Sequence, residues 1–325
     1  MAIFRDYNGN PITIPTHKHS ISDTKNSSNN TAIATTTEGG FMSKEMKNKL
    51  DTLKTRVATM NEKLTSGTFI KTKSSTLVAG STFKSTVSSM ITGAIVFTDS
   101  VIPASSIASA KVVSVSGSEV TTYAYTLNNI LYISPAQENT IIYANENCSN
   151  MFNNTAVTSI DFANFDTTNT KNMSGMFGNC AKLTNIIFSN RFNTSLVTNM
   201  SSMFYGDTGL STIKFNSKFN TSSVTNMTDM FFNCQNLQYV NLENFSFKSA
   251  TTLTRMFQLC IKLQAVIVID KENIQVYTQM LMNCAIEPGS HLIIDYKRGC
   301  ETMAQDIFNS MKASTNYIKL GQQVY

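Results

Sequence analysis

A Met-Phe pair recurs through the second half of the chain, and this recurrence constrains the fold more than any other feature. It stands at Met151-Phe152, Met176-Phe177, Met203-Phe204, Met230-Phe231 and Met256-Phe257, with a degenerate copy at Met280-Leu281. The steps are 25, 27, 27, 26 and 24 residues. Three residues before the pair sit Cys148, Met173, Met200, Met227, Leu253 and Tyr277. Four residues after its Met sit Thr155, Cys180, Asp207, Cys234, Cys260 and Cys284. A stretch with Leu183, Ile186 and Phe188 follows, repeated as Leu210, Ile213, Phe215, as Leu237, Val240, Leu242 and as Leu263, Val266, Val268; the first copy gives Val157, Ile160 and Phe162. Phe165, Phe192, Phe219 and Phe245 form one more column.

A unit this short cannot bury its own apolar face. Stacked copies can, because each sets its Leu, Ile, Phe and Met against the same positions in its neighbours. The x-Ile-x-Phe alternation predicts one short strand per repeat, and the Met-x-x-Met-Phe-x-x-Cys spacing predicts a helical turn. Between them, Phe-x-Thr-Ser-x-Val-Thr-Asn predicts a polar turn whose Thr and Asn side chains satisfy backbone groups. Asn172, Asn199 and Asn226 share one register and are expected to stack as a ladder. The residues between the inward strand positions are expected to face outward: Ser159, Asp161 and Ala163; Asn185, Ile187 and Ser189; Thr212, Lys214 and Asn216; Tyr239, Asn241 and Glu243; Ala265, Ile267 and Ile269. The last row is wholly apolar and is expected to be covered, by the C-terminal segment or by a neighbouring protomer. After the repeats, HLIIDY reads as a strand, Cys300, Met303, Ala304, Ile307, Phe308 and Met311 as one helix face, and NYIKL as a final strand. Such a β-α-β piece would hide the open end of a stack. His291 within it reads as structural rather than as a ligand.

These repeats resemble the BspA-like leucine-rich-repeat surface proteins over about residues 93–290. Asp207 in the Cys column and the poor last repeat depart from that pattern. The resemblance implies a solenoid used for binding at cell surfaces, without specifying a ligand. The Cys column then has two readings: small buried residues at a crowded position, or a disulfide or metal ladder. Stacked side chains point in parallel, which is poor disulfide geometry and favours the first. No CxxC pair occurs.

Upstream, Met46, Leu50, Leu53, Val57, Met60 and Leu64 recur in steps of 4, 3, 4, 3 and 4. That is a heptad seam over three heptads; the alternative is a lone amphipathic helix packing on the repeats. Before it lie THKHSISD and then TTTEGGFMSKEMKNKLDTL. Their order, through Thr35, Thr36, Thr37, Gly40, Phe41, Met42, Ser43, Lys47, Lys49, Leu50 and Asp51, resembles phage tail-fibre proteins over about residues 15–53. That resemblance implies a homotrimeric fibre or receptor-binding protein, its N-terminus on a tail or baseplate protein and its C-terminus on a bacterial surface receptor, an S-layer protein or cell-wall polysaccharide. In a parallel trimer the His17 and His19 pairs would bring six imidazoles to the axis, a set suited to one transition-metal ion such as Fe or Zn. The alternative is stacked or solvated histidines.

Composition narrows the function classes. The 325 residues allow about two domains. Charged residues are only 14%, while Thr and Asn number 41 and 34, so the polar surface is built from neutral hydrogen-bonding groups. The net charge of +5 lies wholly within residues 1–73, too dilute for a nucleic-acid footprint. No apolar run is long enough to span a membrane, and MAIFRDYNGNPITIP does not read as a cleaved secretory signal. Three His offer no nucleophile-base arrangement, so a non-enzyme is expected.

The expected fold class is α+β: a particle-attachment segment with HxH (1–40), a short parallel trimeric coiled coil (41–66), a linker or small strand region (67–92), an N-terminal flank (93–147), a solenoid with one strand and one helical turn per repeat (148–288), and a β-α-β cap (289–325). The expected function is a receptor-binding tail fibre on a virion or phage-tail-like particle, assembled in the bacterial cytoplasm. A bacterial surface adhesin is the alternative. Asp161, Lys214, Tyr239 and Asn241 are the candidate receptor-binding residues; solvated strands with binding at tip loops are the competing reading.

Overall fold

The computed structural model describes residues 72–310 and 317–325. The chain divides into two compact units, Met1–Thr68 and Phe69–Tyr325, and every described residue belongs to the second. The heptad seam and the His17-His19 segment lie outside the described residues.

The described unit is α+β and mostly sheet. Its elements are β1 (Lys73–Thr76), α1 (Gly80–Val87), β2 (Ile95–Phe97), α2 (Ala104–Ile107), β3 (Lys111–Val112), β4 (Thr122–Leu127), β5 (Ile130–Pro135), β6 (Thr140–Tyr143), β7 (Ser159–Asp161), β8 (Phe165–Asp166), β9 (Asn185–Ile187), β10 (Thr212–Ile213), β11 (Tyr239–Val240), β12 (Gln264–Ile269), β13 (His291–Lys297), α3 (Glu301–Asn309) and β14 (Ile318–Val324). The described part of 67–92, read as a linker or small strand region, holds β1 and α1, whose Phe83 is buried in the common core.

Three sheets result, in the orders β3-β4-β5-β2-β7-β9, β10-β11-β12-β13-β14 and β1-β6-β8. Among the described strands β3, β4 and β5 pair antiparallel, and an isolated antiparallel bridge joins Leu77 to Ser114. Asn128 and Asn129, both at positive φ, turn β4 into β5, as a two-residue hairpin with right-handed strand twist requires. The five strands from β10 to β14 are all parallel. Parallel bridges also run Asn147–Asn172–Asn199–Asn226–Thr252–Val276, so successive repeats stack in register. In this ladder the Asn172, Asn199 and Asn226 side-chain oxygens each accept the backbone N–H two residues on, at 2.9 Å. They cap turns, and the ladder itself is backbone.

Aromatic rings fill the stack. Phe152, Phe177, Phe204, Phe231 and Phe257 follow one another at centroid spacings of 5.7, 5.1, 5.3 and 5.0 Å, all within 16° of parallel. These spacings sit near the ~4.8 Å separation of paired strands, so backbone pairing and ring stacking are satisfied by the same repeat. Thr167, Thr194 and Thr221 are fully buried. Each hydroxyl donates to a carbonyl of the next repeat (Asn193, Asn220, Ser246) at 2.7–2.9 Å and accepts that same residue's N–H at 2.7–2.8 Å.

Two expectations need correction. The helical turn at Met-x-x-Met-Phe-x-x-Cys does not form. The residue before each pair (Asn150, Gly175, Ser202, Asp229, Arg255, Gln279) has positive φ, as does the residue three after its Met (Asn154, Asn179, Gly206, Asn233, Leu259, Asn283). Left-handed residues interrupt a right-handed helix. They turn alternate N–H groups sideways, so that Met173, Gly175 and Phe177 donate to Asn199, Ser201 and Met203 of the next repeat at 2.8–2.9 Å. The i, i+3, i+4 spacing still gathers one buried face, because these tight turns return the chain as quickly as a helix does.

The second correction concerns β12. Ala265, Ile267 and Ile269 point inward, at 7%, 1% and 0% exposure, while Val266 is 43% exposed. Tyr239 pairs with Gln264, 25 residues on, although Leu237 and Leu263 are 26 apart. The segment after Leu263 is thus one residue short. Side chains alternate with period two, so that single deletion moves the whole strand's set to the other face. The apolar row needs no external cover.

The C-terminal segment forms β13, α3 and β14, with Cys300, Met303, Ala304 and Ile307 buried and Phe308 packed against the core.

Candidate binding cleft

The deletion in β12 has a geometric consequence. β12 pairs with β13 over six residues but with β11 only at Tyr239–Gln264. β11 ends at Val240, while β12 continues to Ile269. A cleft of about 630 Å³ opens between them. Its far end is closed by Asp270, whose two carboxylate oxygens accept the Ser246 hydroxyl and the Phe247 N–H, both at 2.6 Å.

Apolar side chains of Val240, Leu242, Phe245, Val266 and Val268 line the cleft, and Asn241, Glu243, Lys248, Asp270 and Lys297 supply its polar groups. Two carboxylates and two ammonium groups are among its lining residues, so the cleft carries no strong field of either sign. An apolar surface bordered by amides, hydroxyls and both charges suits a ligand with apolar faces and hydrogen-bonding edges.

The four candidate receptor residues are not brought together. Asn241 lines the cleft, and its side-chain oxygen accepts the Phe215 N–H at 2.8 Å. Tyr239, 51% exposed, stands two residues before it on β11, and Lys214 is exposed just beyond β10. Asp161 lies on β7 in the other sheet, where its carboxylate accepts the Ala163 N–H at 3.0 Å. No ladder joins β9 to β10, so the row from Asp161 to Asn241 is interrupted. Sequence reasoning missed Phe245, Val266, Val268, Asp270 and Lys297, because the cleft arises from a register mismatch rather than from a motif.

It also missed a polar-aromatic cluster on the turn side of the stack. Arg255 donates to both oxygens of Asp229 at 2.7 Å and lies 5.3 Å from the Phe232 ring centroid. Phe232 stacks on Tyr205 at 5.0 Å. The hydrogen bonds and charge of Asp229 raise the Arg255 pKa further, fixing it as a cation.

The cysteines are chemically quiet. All six cysteines are free and buried. Burial pushes the Cys148 thiol up to about 12 and Cys180 to about 11, so neither supplies a thiolate nucleophile at neutral pH. Among the described residues no group of three or more His, Cys, Asp or Glu is arranged to hold a metal ion. Nor is any helix there long and apolar enough to cross a membrane.

A family model described as "Mycoplasma protein of unknown function, DUF285" matches residues 187–287. The matched segment runs from the end of β9 past Cys284 and includes both principal walls of the cleft. No curated protein and no solved structure matches the chain.

Proposed function

We propose that this chain is a binding protein rather than an enzyme: a receptor-binding tail fibre of a phage or phage-tail-like particle. It attaches the particle to the bacterial surface through residues 148–325. In this reading the stacked repeats are a leucine-rich-repeat-like solenoid closed by the β-α-β segment, and residues 41–66 hold three copies in parallel. The observation that carries the binding role is the cleft between β11 and β12, open to solvent and bordered by neutral and oppositely charged polar groups. Its chemistry suits a cell-wall saccharide or a weakly charged protein segment. Weak individual sites would suffice, because three copies per fibre multiply avidity. The particle assignment rests on the THKHS and TTTEGGFMS segments.

A bacterial adhesin built on the same repeat is the second reading. The match at residues 187–287 favours it, since that family's description names a bacterial source. Antibody labelling of purified particles and of producing cells separates the two: signal at tail tips supports the fibre, and signal on cell envelopes alone supports the adhesin.

A further inference from the structure

The Cys column is broken at Thr155 and at Asp207, and the chemistry at Asp207 is more specific than its neighbours suggest. The thiols of Cys180, Cys234 and Cys260 each donate to the carbonyl of the Met-Phe phenylalanine one repeat earlier: Phe152 at 3.0 Å, Phe204 at 2.9 Å and Phe231 at 3.0 Å. Asp207 stands at the same position in the third repeat, and the equivalent carbonyl is that of Phe177. Asp207 is fully buried. Its Oδ1 accepts the Cys180 N–H at 2.7 Å, and that N–H is shared with the Phe177 carbonyl at 3.2 Å. The carboxyl therefore lies beside the Phe177 oxygen. Its other oxygen, Oδ2, has no partner as an acceptor. A carboxylate can only accept; a carboxylic acid can donate from that oxygen, as the thiols do from sulfur.

We propose that Asp207 is held as a neutral carboxylic acid that takes the donor role of the column's thiols, and that its ionisation weakens the stack at the joint between the second and third repeats. That joint lacks a strand ladder, because β9 and β10 do not pair. The titratable groups around Asp207 are Cys180 of the preceding repeat and Cys234 of the following one, both kept protonated chiefly by burial, with Lys84 of α1 acting on Cys180. Burial likewise raises Asp207 well above the carboxylate range, opposed by the Cys180 N–H. The proton is kept on folding and lost on unfolding. The stabilisation is thus fully present below the unfolded carboxylate pKa of about 3.9 and is lost as pH rises toward the folded value.

The test compares the full chain with Asp207→Asn and Asp207→Cys, the latter being the residue of four other repeats. As pH rises above the unfolded carboxylate pKa, the wild-type unfolding constant should rise relative to either variant, approaching tenfold per pH unit for as long as the folded acid keeps its proton, as linkage to one proton requires. Asp207→Cys serves even where Asp207→Asn fails to fold. Amide exchange, corrected for its intrinsic pH dependence, should show protection at Cys180 falling before that at Cys260. A wild-type-to-variant ratio that does not change with pH would overturn the neutral acid. Protection falling equally in all repeats would overturn the weak joint.

Discussion

Thr194 and Asn220 hold one another across adjacent repeats by two hydrogen bonds. The Thr194 hydroxyl donates to the Asn220 carbonyl at 2.8 Å and accepts the Asn220 N–H at 2.7 Å. One fully buried side chain thereby satisfies both backbone groups of a residue in the next turn of the stack. Thr194→Val keeps the shape and removes both partners. The expected cost is roughly 1–3 kcal/mol, the desolvation penalty of unpaired backbone groups. Thr126→Val, at an exposed position on β4, is the control and should change stability by less than about 0.5 kcal/mol. Urea unfolding of both variants measures the difference.

Phe204 and Phe231 stack at 5.3 Å with their rings 1° from parallel, and both are fully buried. Replacing either by Ala should cost ~3–5 kcal/mol, and the loss should spread to neighbouring repeats because each ring stacks on its counterparts in the repeats on both sides. Unchanged thermal melting in both variants would mean the column is not core.

At Gly209 two turns approach closely at the joint between the second and third repeats. A Cβ there would lie 2.6 Å from the Leu183 carbonyl oxygen and 2.7 Å from that of Ala181. Both are backbone atoms that cannot rotate away. Gly209→Ala should therefore cost about 1–3 kcal/mol, the range for overpacking. Gly289→Ala, where nothing lies within 4 Å but φ is +88°, should cost only the left-handed penalty of about 1–2 kcal/mol.

Adsorption to host cells distinguishes the cleft from the rest of the strand side. Val266→Arg places a long side chain in the cleft from a position 43% exposed, so folding should persist while adsorption falls at least about tenfold, a loss of ~1.4 kcal/mol per site before avidity. Tyr239→Ala with Lys214→Ala removes the exposed groups beside it. Unchanged adsorption in both folded variants would move the receptor site off this face.

Light scattering of the full chain at micromolar concentration should give a trimer's mass. A monomer would remove the fibre reading, whereas a dimer would spare the heptad seam but not the fibre analogy.

The sequence by itself determined the stack. Columns such as Phe177, Phe204 and Phe231 or Thr167, Thr194 and Thr221 recur at fixed spacing, and a residue that is buried by its counterparts in adjacent repeats must be chosen again in every repeat. The β-α-β end was legible for the same local reason, since its apolar faces follow the period of each element. What only the tertiary structure decided is register and backbone sign. Met-x-x-Met-Phe gathers one face whether the chain is helical or passes through left-handed residues, and the choice fell to the hydrogen bonds that Met173, Gly175 and Phe177 make to the next repeat. Likewise Val266 and Ile267 are both β-branched and apolar, so composition could not say which faces inward. Pairing with β13 over six residues decided it, and the mismatch with β11 opened the cleft. Ladder register is set by neighbours distant along the chain, and a one-residue shift reverses every side chain while leaving the local pattern intact.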